Sequence, residues 1–311
     1  MKKIIVTGSS GFVGKNVTNT MLKRGFSVIG IDSQPSDVNH SNFKFYQLNL
    51  LTQEKEIRKL LEDSNADILV HLAYSADNGL VNPLTVEDVK DAVQVDDYLY
   101  KTANDAGIKG IFLLSTHQVY GKHKKNEIVS EYESENPETL YGELKVESEQ
   151  TLINVSNEGS CYGVIMRTCP VYSEKYLFNL KAAAFDDEEK SPVVYGDGDY
   201  RISLTHVDNI SDFICSVIDN GISKRYQGIY NICDSDTYQI DKIFNILKAK
   251  SLIGIIVQQK KKPKKEPLFG SLAKTNYYHV DAVEMCNSIS YDNSKASKVV
   301  KPIHSFNVFN S

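Results

Sequence analysis

Tyr141 and Lys145, four residues apart in Tyr-Gly-Glu-Leu-Lys, are the pair in this chain best suited to moving a proton. On a helix that spacing sets both side chains on one face. A phenol titrates near 10 and is a weak base at neutral pH, but a neighbouring ammonium favours its phenolate. Taken alone, the spacing suits a surface pair as readily as a site. A second signature lies at the start of the chain, where the apolar run Lys2 to Val6 breaks into Thr7-Gly-Ser-Ser-Gly-Phe-Val-Gly14. Glycines at 8, 11 and 14 let the backbone turn tightly and approach a pyrophosphate, which the amides and positive dipole end of a following helix then face. The alternative for this stretch is an ordinary strand-to-helix turn.

The next elements bear on that alternative. Phe26 to Ile31 reads as a second apolar strand, and it ends in Asp32, eighteen residues after Gly14. A dinucleotide-binding βαβ unit carries a carboxylate there to accept from the adenosine ribose hydroxyls. Asp32 would repel a 2′-phosphate, and no Arg or Lys follows within eight residues, so the expected cofactor is NAD rather than NADP.

Further strands are expected at Phe43 to Leu48, Asp67 to Ala73, Lys109 to Ser115, Cys161 to Arg167 and Gly228 to Cys233, with an extended run from Arg201 to Val207. Helices are expected over Glu54 to Leu61, Thr85 to Ala106 with Thr85 and Asp88 as a capping pair, Glu138 to Ser156, and Asp208 to Asp219. Strands alternating with helices predict an α/β fold, a doubly wound parallel sheet of Rossmann type with the ligand crevice at the carboxyl ends of the strands. Residues 1–168 are assigned to the dinucleotide-binding domain. Residues 169–311, where the alternation lapses, are assigned to a smaller lobe interleaved with the last elements of the main sheet. Phe185 to Lys190 reads as a solvated acidic stretch, Gly196-Asp-Gly198 as a turn, and Lys260 to Lys265 as a solvated basic loop.

Glycines spaced three and three, followed by Thr116, Tyr141 and Lys145 in that order, resemble the extended short-chain dehydrogenase/reductase superfamily, and within it the NAD-dependent epimerase/dehydratase family of nucleotide-sugar enzymes. Other landmarks are His71-Leu-Ala-Tyr74, Tyr195-Gly-Asp-Gly198, His206-Val-Asp208, Tyr230-Asn231 and Tyr291-Asp-Asn-Ser-Lys295, so the resemblance spans essentially the whole chain. It implies that Tyr141 takes a proton from a substrate hydroxyl, that Lys145 holds the nicotinamide ribose and tunes Tyr141, and that Thr116 hydrogen-bonds the same substrate oxygen. It also implies a cofactor site of Gly8, Gly11, Phe12, Val13, Gly14, Asp32, Asn49, Leu50, Leu72 and Ala73 together with Tyr141 and Lys145, and a substrate-binding lobe. Tyr74, Ser75, His117 and Pro170 are expected to face the substrate, and Arg201 is a candidate for its diphosphate, with a structural ion pair as the alternative.

Four departures from the family pattern matter. Asn49 stands where an aspartate usually accepts from the adenine amino group, and its amide oxygen is expected to do the same. Residues 86 to 100 lack the asparagine that usually supports the active-site hydrogen bonds. Pro170 stands where epimerases usually have asparagine. His117-Gln118 replaces the Asp-Glu pair of dehydratases, which argues against dehydration. The expected activity is therefore epimerisation of a nucleotide sugar, through oxidation and re-reduction at C4. A nucleotide-4-keto-sugar reductase is the alternative. A dinucleotide-binding sensor or scaffold is a further alternative, although such relatives typically lose the tyrosine or lysine. His71 is expected to be a satisfied histidine at a strand end.

At 311 residues the chain can bury one large core, or one with a smaller lobe. A net charge of −5 argues against nucleic acid as the partner. The five cysteines form no CxxC and signal neither a disulfide framework nor a metal site. No signal peptide or membrane span is expected, which suits a cytoplasmic protein with reduced thiols. The helices at 85–106 and 138–156 correspond to those that pair across two-fold axes in the family, implying a homodimer.

Overall fold

The computed structural model describes residues 1–74, 84–177, 197–250 and 287–306, together with the backbone of 185–186, 191–195 and 258–260. Ser75, Cys286, residues 187–190 of the acidic stretch, Gly196 and residues 261–265 of the basic run lie outside the described residues.

Seven strands form the central sheet: β1 (Lys3–Thr7), β2 (Ser27–Asp32), β3 (Phe43–Gln47), β4 (Ile68–His71), β5 (Gly110–Thr116), β6 (Tyr162–Thr168) and β7 (Gly228–Ile232). Their order across the sheet is β7-β6-β5-β4-β1-β2-β3, and every neighbouring pair is parallel. Chain order runs outward in both directions from the β4/β1 junction, which is the switch point of a doubly wound sheet.

The side chains of β1 show why the sheet is covered on both faces. Ile4 and Val6 enter one core, with Val17 and Met21 of α1 (Phe12–Lys23), while Ile5 enters the other, with Ile57 and Leu61 of α2 (Glu54–Ser64) and Val95 and Leu99 of α3 (Val86–Asp105). Strands buried on both faces read as continuous apolar runs. Thr85 caps α3: its hydroxyl accepts from the Asp88 amide, and the Asp88 carboxylate accepts in return from the Thr85 amide.

Most expected boundaries shift by up to three residues, and two of the changes bear on the site. Helix α4 spans Leu140–Glu158 and starts two residues beyond the expected Glu138, because Thr139 is its N-cap and accepts from the Gly142 amide at 3.0 Å. The extended run expected over 201–207 is two short strands. Arg201–Ser203 pairs antiparallel with Thr237–Gln239, and Thr205–His206 pairs parallel with Val171–Tyr172. Leu204 between them gives its carbonyl to the Asp234 amide.

Beyond Thr168 the chain contributes to two cores. Helix α5 (Val207–Asp219) and β7 complete the main one through Ile210, Ile214 and Ile232. A second core gathers Tyr172, Tyr200, Leu204 and Phe306 around Ile240, Phe244 and Leu247 of α6 (Ile240–Ala249). Among the described residues, no helix is long and apolar enough to cross a membrane, and Cys161, Cys169, Cys215 and Cys233 are buried free thiols.

Candidate active site

A cleft of about 700 Å³ opens at the carboxyl ends of the strands. That is ample for a small organic ligand. One end is built by the glycine turn. Gly8 has φ +70°, and a Cβ there would sit 2.6 Å from the Ala73 nitrogen. At Gly14 a Cβ would lie 1.9 Å from the Gly8 carbonyl oxygen. Only glycine allows α1 to start this close to the turn. Gly11 is the N-cap of α1 and offers no side-chain acceptor, and the first turn has no acidic residue. The leading amides of α1 are therefore left for an anion from outside. Asp32 sits at the end of β2, its carboxylate accepting from the Ser10 amide at 3.0 Å and the Gln34 amide at 2.9 Å. The donors, the cradle that a Cβ would fill and the carboxylate fit a dinucleotide with an unphosphorylated ribose.

Phe12, Val13, Leu50, Leu72 and Ala73 line the same cleft. Asn49 lines it too, but the amide oxygen expected at the adenine accepts instead from the Leu51 amide at 2.9 Å and the Thr52 amide at 3.3 Å. The polar residue after β3 thus shapes its own turn. Tyr176, not singled out from the sequence, stacks on Phe12 with ring centroids 4.0 Å apart and forms part of the wall.

At the other end the cleft is lined by Thr116, Tyr141 and Lys145. All three are buried. Thr116 ends β5, and its hydroxyl accepts from the Gln118 amide at 3.3 Å. The side-chain oxygen of Gln118 accepts in turn from the Thr139 hydroxyl at 3.0 Å, which ties the end of β5 to the start of α4. Tyr74 packs edge-on against Tyr141 with centroids 5.3 Å apart, and the Lys145 Nζ lies 5.4 Å and 5.8 Å from the two ring centroids. Burial pulls the Lys145 ammonium below its ordinary value, while the charges of Asp96 and Glu149 oppose that pull.

His117 also lines the cleft. Its Nδ1–H donates to the Thr168 carbonyl at 3.0 Å, which leaves Nε2 as an acceptor. Burial lowers this imidazole to about 4, so the ring is neutral at physiological pH. Pro170 is part of the same wall. Arg201 is not among the residues that line the cleft. Its guanidinium donates through Nε to the Thr237 hydroxyl at 2.7 Å and through Nη2 to the Thr237 carbonyl, a consequence of the Arg201–Ser203 strand pairing across to Thr237. The structure therefore holds it in a local hydrogen-bonded contact with Thr237, and among the described residues it makes no ion pair.

Two buried polar groups under the cleft were not legible as functional. Arg167 of β6 is bound through Nη2 to Glu149 at 2.6 Å and to Glu135 at 2.5 Å, and the Ser115 hydroxyl donates to Glu149 as well. The second group joins His71 to Asp96 of α3, with His71 Nε2 2.9 Å from Asp96 Oδ1 and His71 Nδ1 2.7 Å from the Thr7 hydroxyl. His71 is thus a satisfied histidine at its strand end. The only sequence signal for Asp96 was a charge on the buried side of an amphipathic helix.

Sheet, switch point and cleft are those of an extended short-chain dehydrogenase/reductase, an enzyme class built on bound dinucleotide. Residues 4–233 match the model of the NAD dependent epimerase/dehydratase family, and the chain belongs to that family. It is 26% identical over 225 residues to a UDP-glucose 4-epimerase of Vibrio cholerae, covering 70% of this chain and 67% of the relative. It is 25% identical over 271 residues to a GDP-6-deoxy-D-talose 4-dehydrogenase of Aggregatibacter actinomycetemcomitans, covering 83% of each. The solved structure of the UDP-glucuronic acid 4-epimerase of Bacillus cereus with NAD has the same fold, with a TM-score of 0.72, 22% identity and coverage of 97% of this chain and 94% of that one.

Proposed function

We propose that this protein is an NAD-dependent nucleotide-sugar epimerase that inverts a sugar carbon, C4, through a keto intermediate. The observation that carries the reading is the convergence of Thr116, Tyr141 and Lys145 on the cleft that also holds the glycine turn and Asp32. Gly8, Gly11, Gly14 and the start of α1 would hold the pyrophosphate, Asp32 the adenosine ribose, and Lys145 the nicotinamide ribose. When bound, NAD supplies a reversible hydride acceptor.

The remaining chemistry belongs to side chains of this chain. Thr116 orients the substrate hydroxyl. Tyr141, as the phenolate favoured by the ammonium of Lys145, removes the hydroxyl proton as the hydrogen on carbon departs as hydride. That leaves a keto sugar. Once the sugar has turned over, hydride returns to its other face and Tyr141 gives the proton back, so the sugar ends as its epimer with no net redox change. Tyr74, His117 and Pro170 form the wall that faces the sugar. Neutral His117 can accept a hydrogen bond from it but has no proton to give through Nε2. The cofactor set includes Leu50, Leu72 and Ala73, and the segment after Thr168 serves as the substrate lobe. Replacing Tyr141 by Phe removes the base without changing the ring, and turnover should fall by about 10²- to 10⁴-fold. Unchanged turnover would sink the assignment.

A reductase acting on a 4-keto sugar is the second reading. Pro170 in the cleft wall favours it, as does the likeness to a 4-dehydrogenase. In that case NADH or NADPH would be consumed. Thr116, Tyr141 and Lys145 together speak against a non-catalytic sensor.

The protein is further assigned to the cytoplasm on the four buried free thiols among the described residues, and to a homodimer paired through α3 and α4. Light scattering at micromolar concentration should give twice the 34.9 kDa chain mass. A monomer there would overturn the dimer.

A further inference from the structure

Asp96 is buried, and every hydrogen bond made to it is a donation. Ser148 Oγ–H donates to Oδ2, His71 Nε2 lies 2.9 Å from Oδ1, and the Tyr100 hydroxyl donates to Oδ1 at 3.3 Å. The far side of His71 settles where its proton sits. The Ala73 amide donates to the Thr7 hydroxyl oxygen at 3.4 Å, and that hydroxyl lies 2.7 Å from His71 Nδ1. Thr7 is fully buried. Its hydroxyl proton points at Nδ1, since no other acceptor for it is found among the described residues. Nδ1 therefore accepts, and His71 is the neutral tautomer with its proton on Nε2. The hydrogen bonds run in one direction, from the Ala73 amide through Thr7 and His71 to Asp96. The carboxylate at the end keeps a full negative charge.

Lys145 and Asp96 line the same cleft. A buried ammonium needs an opposite charge to stay ionised. The other carboxylate at hand, Glu149, is engaged by Arg167, which bonds it through Nε at 3.1 Å and Nη2 at 2.6 Å and also bonds Glu135 at 2.5 Å. Among the described residues Asp96 has no such guanidinium partner.

We propose that Asp96 is the positioning residue of this site: its carboxylate, fixed by Ser148, Tyr100 and neutral His71, is the counter-charge that keeps Lys145 protonated beside Tyr141. The value of that charge to catalysis rests on the epimerase reading above; the charge itself does not. The ionisable groups around Lys145 are Asp96 and Tyr100 from α3, Tyr141 and Glu149 from α4, His71 and Tyr74 from the end of β4, and Arg167 from β6 through Glu149. Burial lowers Lys145, and of the groups that raise it Asp96 acts most strongly. Asp96 itself is held below the ordinary carboxylate range: burial alone would raise it, and the hydrogen bond from His71, the charge of Lys145 and the hydrogen bond from Ser148 outweigh that.

The test uses the whole chain labelled with [¹³Cε]lysine, the Lys145 signal being identified by its loss in Lys145→Arg. In Asp96→Asn, which keeps the shape, can still accept from His71 through Oδ1 and can donate through its amide nitrogen to the Ser148 hydroxyl oxygen, the titration midpoint of Lys145 should fall by about one pH unit, a tenfold loss of proton affinity. Ser148→Ala keeps the charge and should leave the midpoint where it is. Equal midpoints in wild type and Asp96→Asn would overturn the proposal, whatever happens to thermal stability. A second readout needs no variant. At pH 7 the ¹⁵N spectrum of wild-type His71 should show a protonated Nε2 and an unprotonated Nδ1, and protons on both would make the pair neutral and remove the counter-charge. Neither readout uses substrate or NAD. A protein that titrates as described but never epimerises a sugar would end the functional reading and leave this one standing.

Discussion

Two residues that line the cleft, His117 and Lys145, have their protonation shifted by burial and by what packs against them. His117 illustrates the sign. Its folded value of about 4 lies below the ordinary histidine value of about 6.5, because burial penalises the imidazolium. Between those two values the unfolded chain binds a proton that the folded chain refuses. The stability linked to His117 is therefore complete above pH 6.5, declines as the pH falls toward 4, and is level below that. Urea midpoints for wild type and His117→Gln should differ most near neutral pH and converge on acidification. A difference that stays constant from pH 7 to 4.5 would mean that the ring is not held neutral. Burial pulls Lys145 down in the same sense, and there the charges of Asp96 and Glu149 oppose the pull.

At the scale of elements, the site depends on where strands stop and helices begin. Gly14 shows it at α1, where any side chain would collide with the Gly8 carbonyl. Thr139 shows it at α4, capping the helix that carries Tyr141 and Lys145 while bonding Gln118 beside Thr116. Arg167 joins β6 to α4 through Glu149, both fully buried. Arg167→Met would leave the Glu149 carboxylate buried without its partner, and the loss should be about 3–5 kcal/mol by urea unfolding. A loss under about 1 kcal/mol would mean that the pair does not brace the helix.

Much of this was legible in the sequence because it is local. Apolar runs marked the strands, Thr85 with Asp88 marked a helix start, and the spacing of Gly8, Gly11, Gly14 and Asp32 marked one end of the cleft. What was not legible depends on contacts distant along the chain. The engagement of Asn49 by its own turn, the tether of Arg201 to Thr237, and the buried bonds from Thr7 through His71 to Asp96 and Ser148 appear only when strands and helices far apart in sequence are brought together.

For the whole molecule, one sheet positions everything. Its strands present Thr7, Asp32, His71, Thr116 and Thr168 at a single edge, and the second core beyond Thr168 stands next to that edge through Tyr172 and Leu204. The proposed epimerase cycle requires this cleft to keep its NAD from one turnover to the next. The most direct measurement is to denature the purified full-length protein and quantify the nicotinamide nucleotide released. Close to one NAD per chain is the predicted result. A protein that releases none, and that oxidises added NADH in step with reduction of a keto sugar, would contradict it.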